Sequence, residues 1–180
     1  MMGLIQYKKR AFTKRVILHD SHTANEYKDC GSVVEWASQA RIGGLKMGLL
    51  STGYHFIVER NGVTVPCRDI ATIGSHTPGH NLDSIGVCLV GGREYSSSEG
   101  VDNFTSEQRK AFLELCLGLH EKYEDLRKPY LDDYSSIELV GHSEIQKYRD
   151  RTKPRCPPLD MDILRDDVAL YINKRIVLND

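Results

Sequence analysis

The chain has 180 residues, a formal net charge of −1, 40% hydrophobic and 27% charged residues, and no apolar run near the ~18 residues of a membrane span. Such a length suits one domain, able to bury about 70% of its unfolded surface without a disulfide or metal to hold it. The composition excludes a disordered chain, and the balanced charge excludes a surface built throughout for nucleic acid.

Residues 1–15 read as a basic arm: Lys8, Lys9, Arg10, Lys14 and Arg15 occur with no acidic residue before Asp20. Those charges come too early for the apolar stretch of a Sec signal peptide. The domain is expected over 16–180. Val16-Ile17-Leu18 reads as a buried strand that leaves on His19. Ser32 to Glu35 has capping-box spacing, and Val33, Trp36, Ala37 and Ala40 recur at a helical period, with Gly43-Gly44 expected to stop the helix. Gly53 to Arg60 alternates as a strand, and Asn61-Gly62 is a hairpin signal leading into Val63-Thr64-Val65. Ile85 to Val90 is a further buried strand, closed by Gly91-Gly92, and 93–103 is a polar loop. Thr105 and Gln108 form a second capping box for a helix whose apolar face is Ala111, Phe112, Leu115, Cys116 and Leu119. After a loop over 127–136, Ile137 to Val140 is a strand running into Gly141-His142. Asp160 is placed to cap a last helix with Leu164, Val168, Tyr171 and Ile172 inward. Strands alternating with helices make a single α/β domain.

Two histidines follow strands directly, His19 after Val-Ile-Leu and His142 after Leu-Val-Gly, and ligands of open α/β sheets gather beyond the carboxyl ends of strands. Of the five cysteines, at 30, 67, 88, 116 and 156, the odd number without framework spacing points to a reducing compartment. Cys88 and Cys116 fall in apolar stretches and read as packing residues, whereas Cys156 stands among prolines and cations. Two imidazoles and a thiolate suit a catalytic zinc with its fourth position open to water. The same residues also fit a cysteine nucleophile with His142 as its base, or capping and loop positions with no shared role. His22 and His120 read as exposed. One of His55 and its neighbours Tyr54 and Phe56 faces the core. His76 and His80 lie in a turn-rich loop suited to line a groove.

The segments GYHFIVERNG (53–62), IGSHTPGHNLDSIGVCLVGG (73–92), NFTSEQ (103–108), VGHSE (140–144) and RCPP (155–158) resemble the zinc-dependent N-acetylmuramoyl-L-alanine amidases of type 2. Peptidoglycan recognition proteins are related to the same family. The resemblance runs from about Val16 to about Asp160. It implies a central mixed β-sheet flanked by α-helices and one zinc ion on His19, His142 and Cys156. It further implies a catalytic role for Tyr54, and His76 and Asn81 bordering the substrate groove. The family's catalytic lysine stands two residues before the cysteine ligand. Here that position is Pro154, so Lys153 is the nearest candidate, with Arg155 and Lys147 as alternatives.

In function the resemblance implies a phage endolysin, a monomer that opens the amide between N-acetylmuramic acid and L-alanine of peptidoglycan and so lyses the host. It would collect in the host cytoplasm without a signal peptide and reach the wall in the periplasm after a holin opens the membrane. Two binding roles compete. One is non-catalytic peptidoglycan recognition, against which the presence of Cys156 argues. The other is regulation of a phage RNA polymerase through the basic arm.

Overall fold

The computed structural model describes residues 7–24, 35–123, 137–146 and 155–179. Five strands, β1 Arg15–Asp20, β2 Phe56–Val58, β3 Thr64–Pro66, β4 Ser84–Leu89 and β5 Glu138–Gly141, form one sheet in the order β3-β2-β4-β1-β5. β2, β4, β1 and β5 run parallel and β3 returns antiparallel, giving the expected mixed sheet. Helices α1 Glu35–Lys46, α2 Ser106–Tyr123, α3 His142–Ile145 and α4 Met161–Asn179 accompany it among the described residues. None of these helices is long and apolar enough to cross a membrane.

The apolar runs read as strands are the central parallel ones, and β4 is buried along its whole length, as a sheet covered on both faces requires. On one face Val16, Leu18, Ile85, Val87 and Leu89 pack against Phe112, Cys116 and Leu119 of α2 and Leu164, Val168 and Ile172 of α4. On the other, Ile57, Cys88 and Val90 meet Ala37, Trp36 and Ala40 of α1. Side chains alternate along a strand, so His19 leaves β1 on the α1 side, level with Cys88 in the register.

Local signals in the sequence close as read. Thr105 and Gln108 cap α2 reciprocally: each backbone N–H donates to the other's side-chain oxygen at 3.1 Å. Asp160 Oδ1 accepts from the N–H groups of Asp162 and Ile163. The hairpin pairs Phe56 with Pro66 and Val58 with Thr64. Ser32, Val33 and the 127–136 loop lie outside the described residues.

Two readings need correction. Gly43-Gly44 does not stop α1, which runs on to Lys46. Beyond Lys46 the helix is closed by Gly48, whose φ is +81°, with Gly48 N–H donating to Leu45 O and Leu49 N–H to Gly44 O, a Schellman closure. Gly44 serves a different purpose, because a Cβ there would fall 2.0 Å from the carbonyl oxygen of Ser51. His120, expected to be exposed, is half-buried on α2.

The basic stretch is described from Tyr7 onward, and there it lies on the body of the protein. Lys9 bridges Thr72, Ile73 N–H donates to Lys8 O, and Arg10 N–H donates to Ala71 O. The Arg10 guanidinium donates to the carbonyls of Ile70 and Thr72 at 2.6 and 2.8 Å.

Candidate metal centre and active site

β1 and β5 are paired with Leu18 opposite Gly141, so the next residues, His19 and His142, emerge side by side. Their ring centroids are 4.3 Å apart. Cys156 is brought to them by a two-way clip: Ser143 N–H donates to Cys156 O at 2.9 Å, and Cys156 N–H donates to Ser143 Oγ at 2.6 Å. One ligand atom from each of His19, His142 and Cys156 lies within 4.8 Å of the others, and all three residues are buried. The trio that the sequence singled out from distant positions is thus one cluster.

His19 is held from behind. Its Nε2 lies 3.0 Å from His76 Nδ1 and 3.3 Å from Thr77 Oγ1, and these two partners are themselves 3.0 Å apart. Asn81 Oδ1 accepts the N–H groups of His76 and Thr77 at 2.8 and 2.9 Å, fixing the loop that carries them. The structure therefore places His76 against a candidate ligand and Asn81 against the loop backbone. Gly86 makes room for this arrangement, since a Cβ on it would collide with the His76 ring.

Around the cluster, burial decides the charge states. Burial, with His55 and His142 close by, pushes His76 down to about 3. His55 is driven down to about 4, first by burial and then by the Arg10 and Arg68 guanidiniums. Gly86 N–H donates to His55 Nδ1 at 2.9 Å, so the hydrogen sits on Nε2 and goes to Thr72 O at 2.9 Å. Both rings are neutral at neutral pH. Tyr54 lies with its ring 5.2 Å from that of His19. Burial, reinforced by Cys88, Cys156 and Asp20, raises its hydroxyl well above the usual tyrosine range. Asp20 closes β1 beside these groups, its carboxyl raised by burial, while the Cys156 thiol and His22 favour its ionised form.

Lys147, Lys153 and Pro154 lie outside the described residues, and Arg155 is exposed next to Cys156. Sequence reasoning missed Asp20, Thr77 and Ser143, each adjacent to a residue it did name. It also missed Gly86, a glycine inside a buried apolar strand, which marks close approach of another group.

The N-acetylmuramoyl-L-alanine amidase family matches residues 9–157. The endolysin of Enterobacteria phage T3 is 36% identical over 124 residues, 68% of this chain and 77% of that protein. The endolysin of Escherichia phage T7 is 35% identical over the same shares of both chains. Among solved structures, Drosophila PGRP-LB superposes with a TM-score of 0.62 at 22% identity, covering 84% of this chain and 79% of its own.

Proposed function

We propose that this chain, which belongs to the N-acetylmuramoyl-L-alanine amidase family, works with one zinc ion held by His19, His142 and Cys156. The activity is that of a phage endolysin: hydrolysis of the amide joining the lactyl group of N-acetylmuramic acid to L-alanine in peptidoglycan. The observation that carries the zinc reading is the convergence of two buried imidazoles and one buried thiol at the carboxyl ends of β1 and β5.

The residues fit the ion. Three protein ligands of N, N and S type leave one position for water or substrate, the pattern of catalytic zinc. His19 is fixed through Nε2 by His76 and Thr77, the outer hydrogen bonding that orients a ligating histidine. When bound, zinc lowers the pKa of a coordinated water toward about 7 and polarises the scissile carbonyl.

The chain's own groups do the rest. The Tyr54 hydroxyl stays protonated through neutral pH, so it acts as a hydrogen-bond donor that orients water or the carbonyl oxygen, and not as a base. For the cation that would stabilise the developing oxyanion, the electrostatic contribution that is usually largest in acyl transfer, the candidate is Lys153, with Arg155 and Lys147 as alternatives. The water oxygen bonds to the carbonyl carbon and the carbon–nitrogen bond breaks. A carboxyl group is left on the sugar and an amine on alanine.

A digest of purified peptidoglycan tests this reading. New alanine amines without new reducing sugar ends, abolished by a chelator and restored by zinc, are expected. New reducing ends would make the enzyme a glycosidase and overturn it.

A further inference from the structure

The cations of the basic arm do not all face solvent. Lys8 and Lys9 are exposed, but Arg10 is half-buried and its guanidinium is turned into the protein. Nη2 donates to Ile70 O at 2.6 Å, and Nη1 donates to Thr72 O at 2.8 Å and to Ser84 O at 3.2 Å. Thr13 Oγ1 accepts from Nε and Nη2 at 3.1 and 3.0 Å, steadying the fork from its own segment. An arginine presents its N–H groups in one fixed plane, which suits it to join several acceptors at once.

The three carbonyls bracket His76 in the chain. Ile70 and Thr72 come before it and Ser84 comes after it. One guanidinium therefore ties together both ends of the segment that carries His76, Thr77 and Asn81. The main chain adds to the tie, with Arg10 N–H donating to Ala71 O and Ile73 N–H to Lys8 O.

From the tied ends, two contacts reach the His76 ring. Ser84 Oγ, which donates to His80 O at 2.6 Å, lies 3.4 Å from His76 Nε2. The Thr72 carbonyl also accepts from His55 Nε2 at 2.9 Å, and the His55 and His76 rings meet edge to face at 5.8 Å. On its other side, His76 Nδ1 is 3.0 Å from His19 Nε2. Arg10 is thus linked to a candidate metal ligand through Ser84 and His76. A group that must be ordered as the ion binds weakens binding by the entropy of ordering it, and a segment fixed beforehand avoids that cost.

We propose that Arg10 is a positioning residue of the metal centre, fixing both ends of the 70–84 segment so that His76 is held against His19 before zinc binds. The assignment rests on the zinc reading. It gives one cation of the basic arm an inward task in the amidase itself.

The test is zinc affinity, read by competition with a chromogenic chelator, in a double-mutant cycle of Arg10→Ala and His76→Ala. Arg10→Ala alone should weaken zinc binding about 10-fold, the lower end of what loss of outer support costs a metal site. Because Arg10 acts through His76, adding Arg10→Ala to His76→Ala should weaken it no further, a coupling that general loss of stability would not produce. Thr13→Val removes only the hydroxyl that steadies the fork; it should give a smaller loss in the same direction, and it replaces Arg10→Ala in the cycle if that variant does not fold. Unchanged zinc affinity in the folded variant, or the same fold-loss with and without His76, would overturn the proposal and leave the zinc reading standing. A wild type that binds no zinc would overturn both.

Discussion

His76 Nδ1 sits 3.0 Å from His19 Nε2, so a loop residue more than fifty positions away in the chain sets the orientation of the imidazole near the carboxyl end of β1. Burial keeps His76 neutral, which lets it share a hydrogen bond with the proposed ligand ring without adding charge beside the candidate metal site.

Replacing His76 with Ala should therefore weaken zinc binding by about 10–100-fold, the usual effect of removing an outer partner of a metal ligand. Competition with a chromogenic chelator reads this directly. The fold should persist, because His76 is half-buried at the edge of the site and lies outside the apolar cores.

Cys156→Ser and Tyr54→Phe should separate metal from chemistry. The first removes a ligand of the cluster and should lose zinc and activity together. The second should keep one zinc per chain and lose about 10²–10³ in kcat, the range seen when a single oriented donor is removed. Metal analysis beside a turnover assay checks both, and loss of zinc in Tyr54→Phe would show that the hydroxyl supports the metal site instead.

The parts of this site that were legible in the sequence are those that depend on local pattern. His19 and His142 were visible because each follows an apolar strand, and parallel pairing of β1 with β5 brings such positions together. Cys156 stood out because its proline- and cation-rich stretch differs from the apolar stretches that hold Cys88 and Cys116. The capping boxes and the Asn61-Gly62 hairpin were legible for the same local reason. The illegible parts depend on contacts between distant segments. Gly44 looks like a helix stop until Ser51 is seen against it. The contact of the His76 ring with His19 likewise joins segments far apart in the chain. The left-handed turn at His22 leaves no mark in residue type at all.

The two adjacent glycines of α1 should respond in opposite directions. Gly43 has open space where a Cβ would go, so Gly43→Ala should stabilise by about 0.5–1 kcal/mol through helix propensity and a less flexible unfolded chain. Gly44→Ala would press on Ser51 O and should destabilise by about 1–3 kcal/mol, as overpacking does. Urea melts of the two variants give the comparison.

His55 should make the fold acid-sensitive. Its folded value is about 4 against an ordinary 6.5, so below pH 6.5 the unfolded chain binds a proton that the folded ring refuses. Stability from this group is complete above that point and is lost as pH falls toward about 4, by up to about 3 kcal/mol. Unfolding free energies between pH 7 and 4 should decline with a slope that is shallower in His55→Asn. An unchanged slope would mean that the ring is not held neutral.

The most direct test of zinc-dependent amidase activity is a zinc titration of the metal-free protein, with release of alanine amines from peptidoglycan measured at each addition. Activity should be absent at the start, rise in proportion to zinc and level off at one ion per chain, while His19→Ala, His142→Ala and Cys156→Ser stay inactive throughout. Full release of alanine amines by the metal-free protein would contradict it.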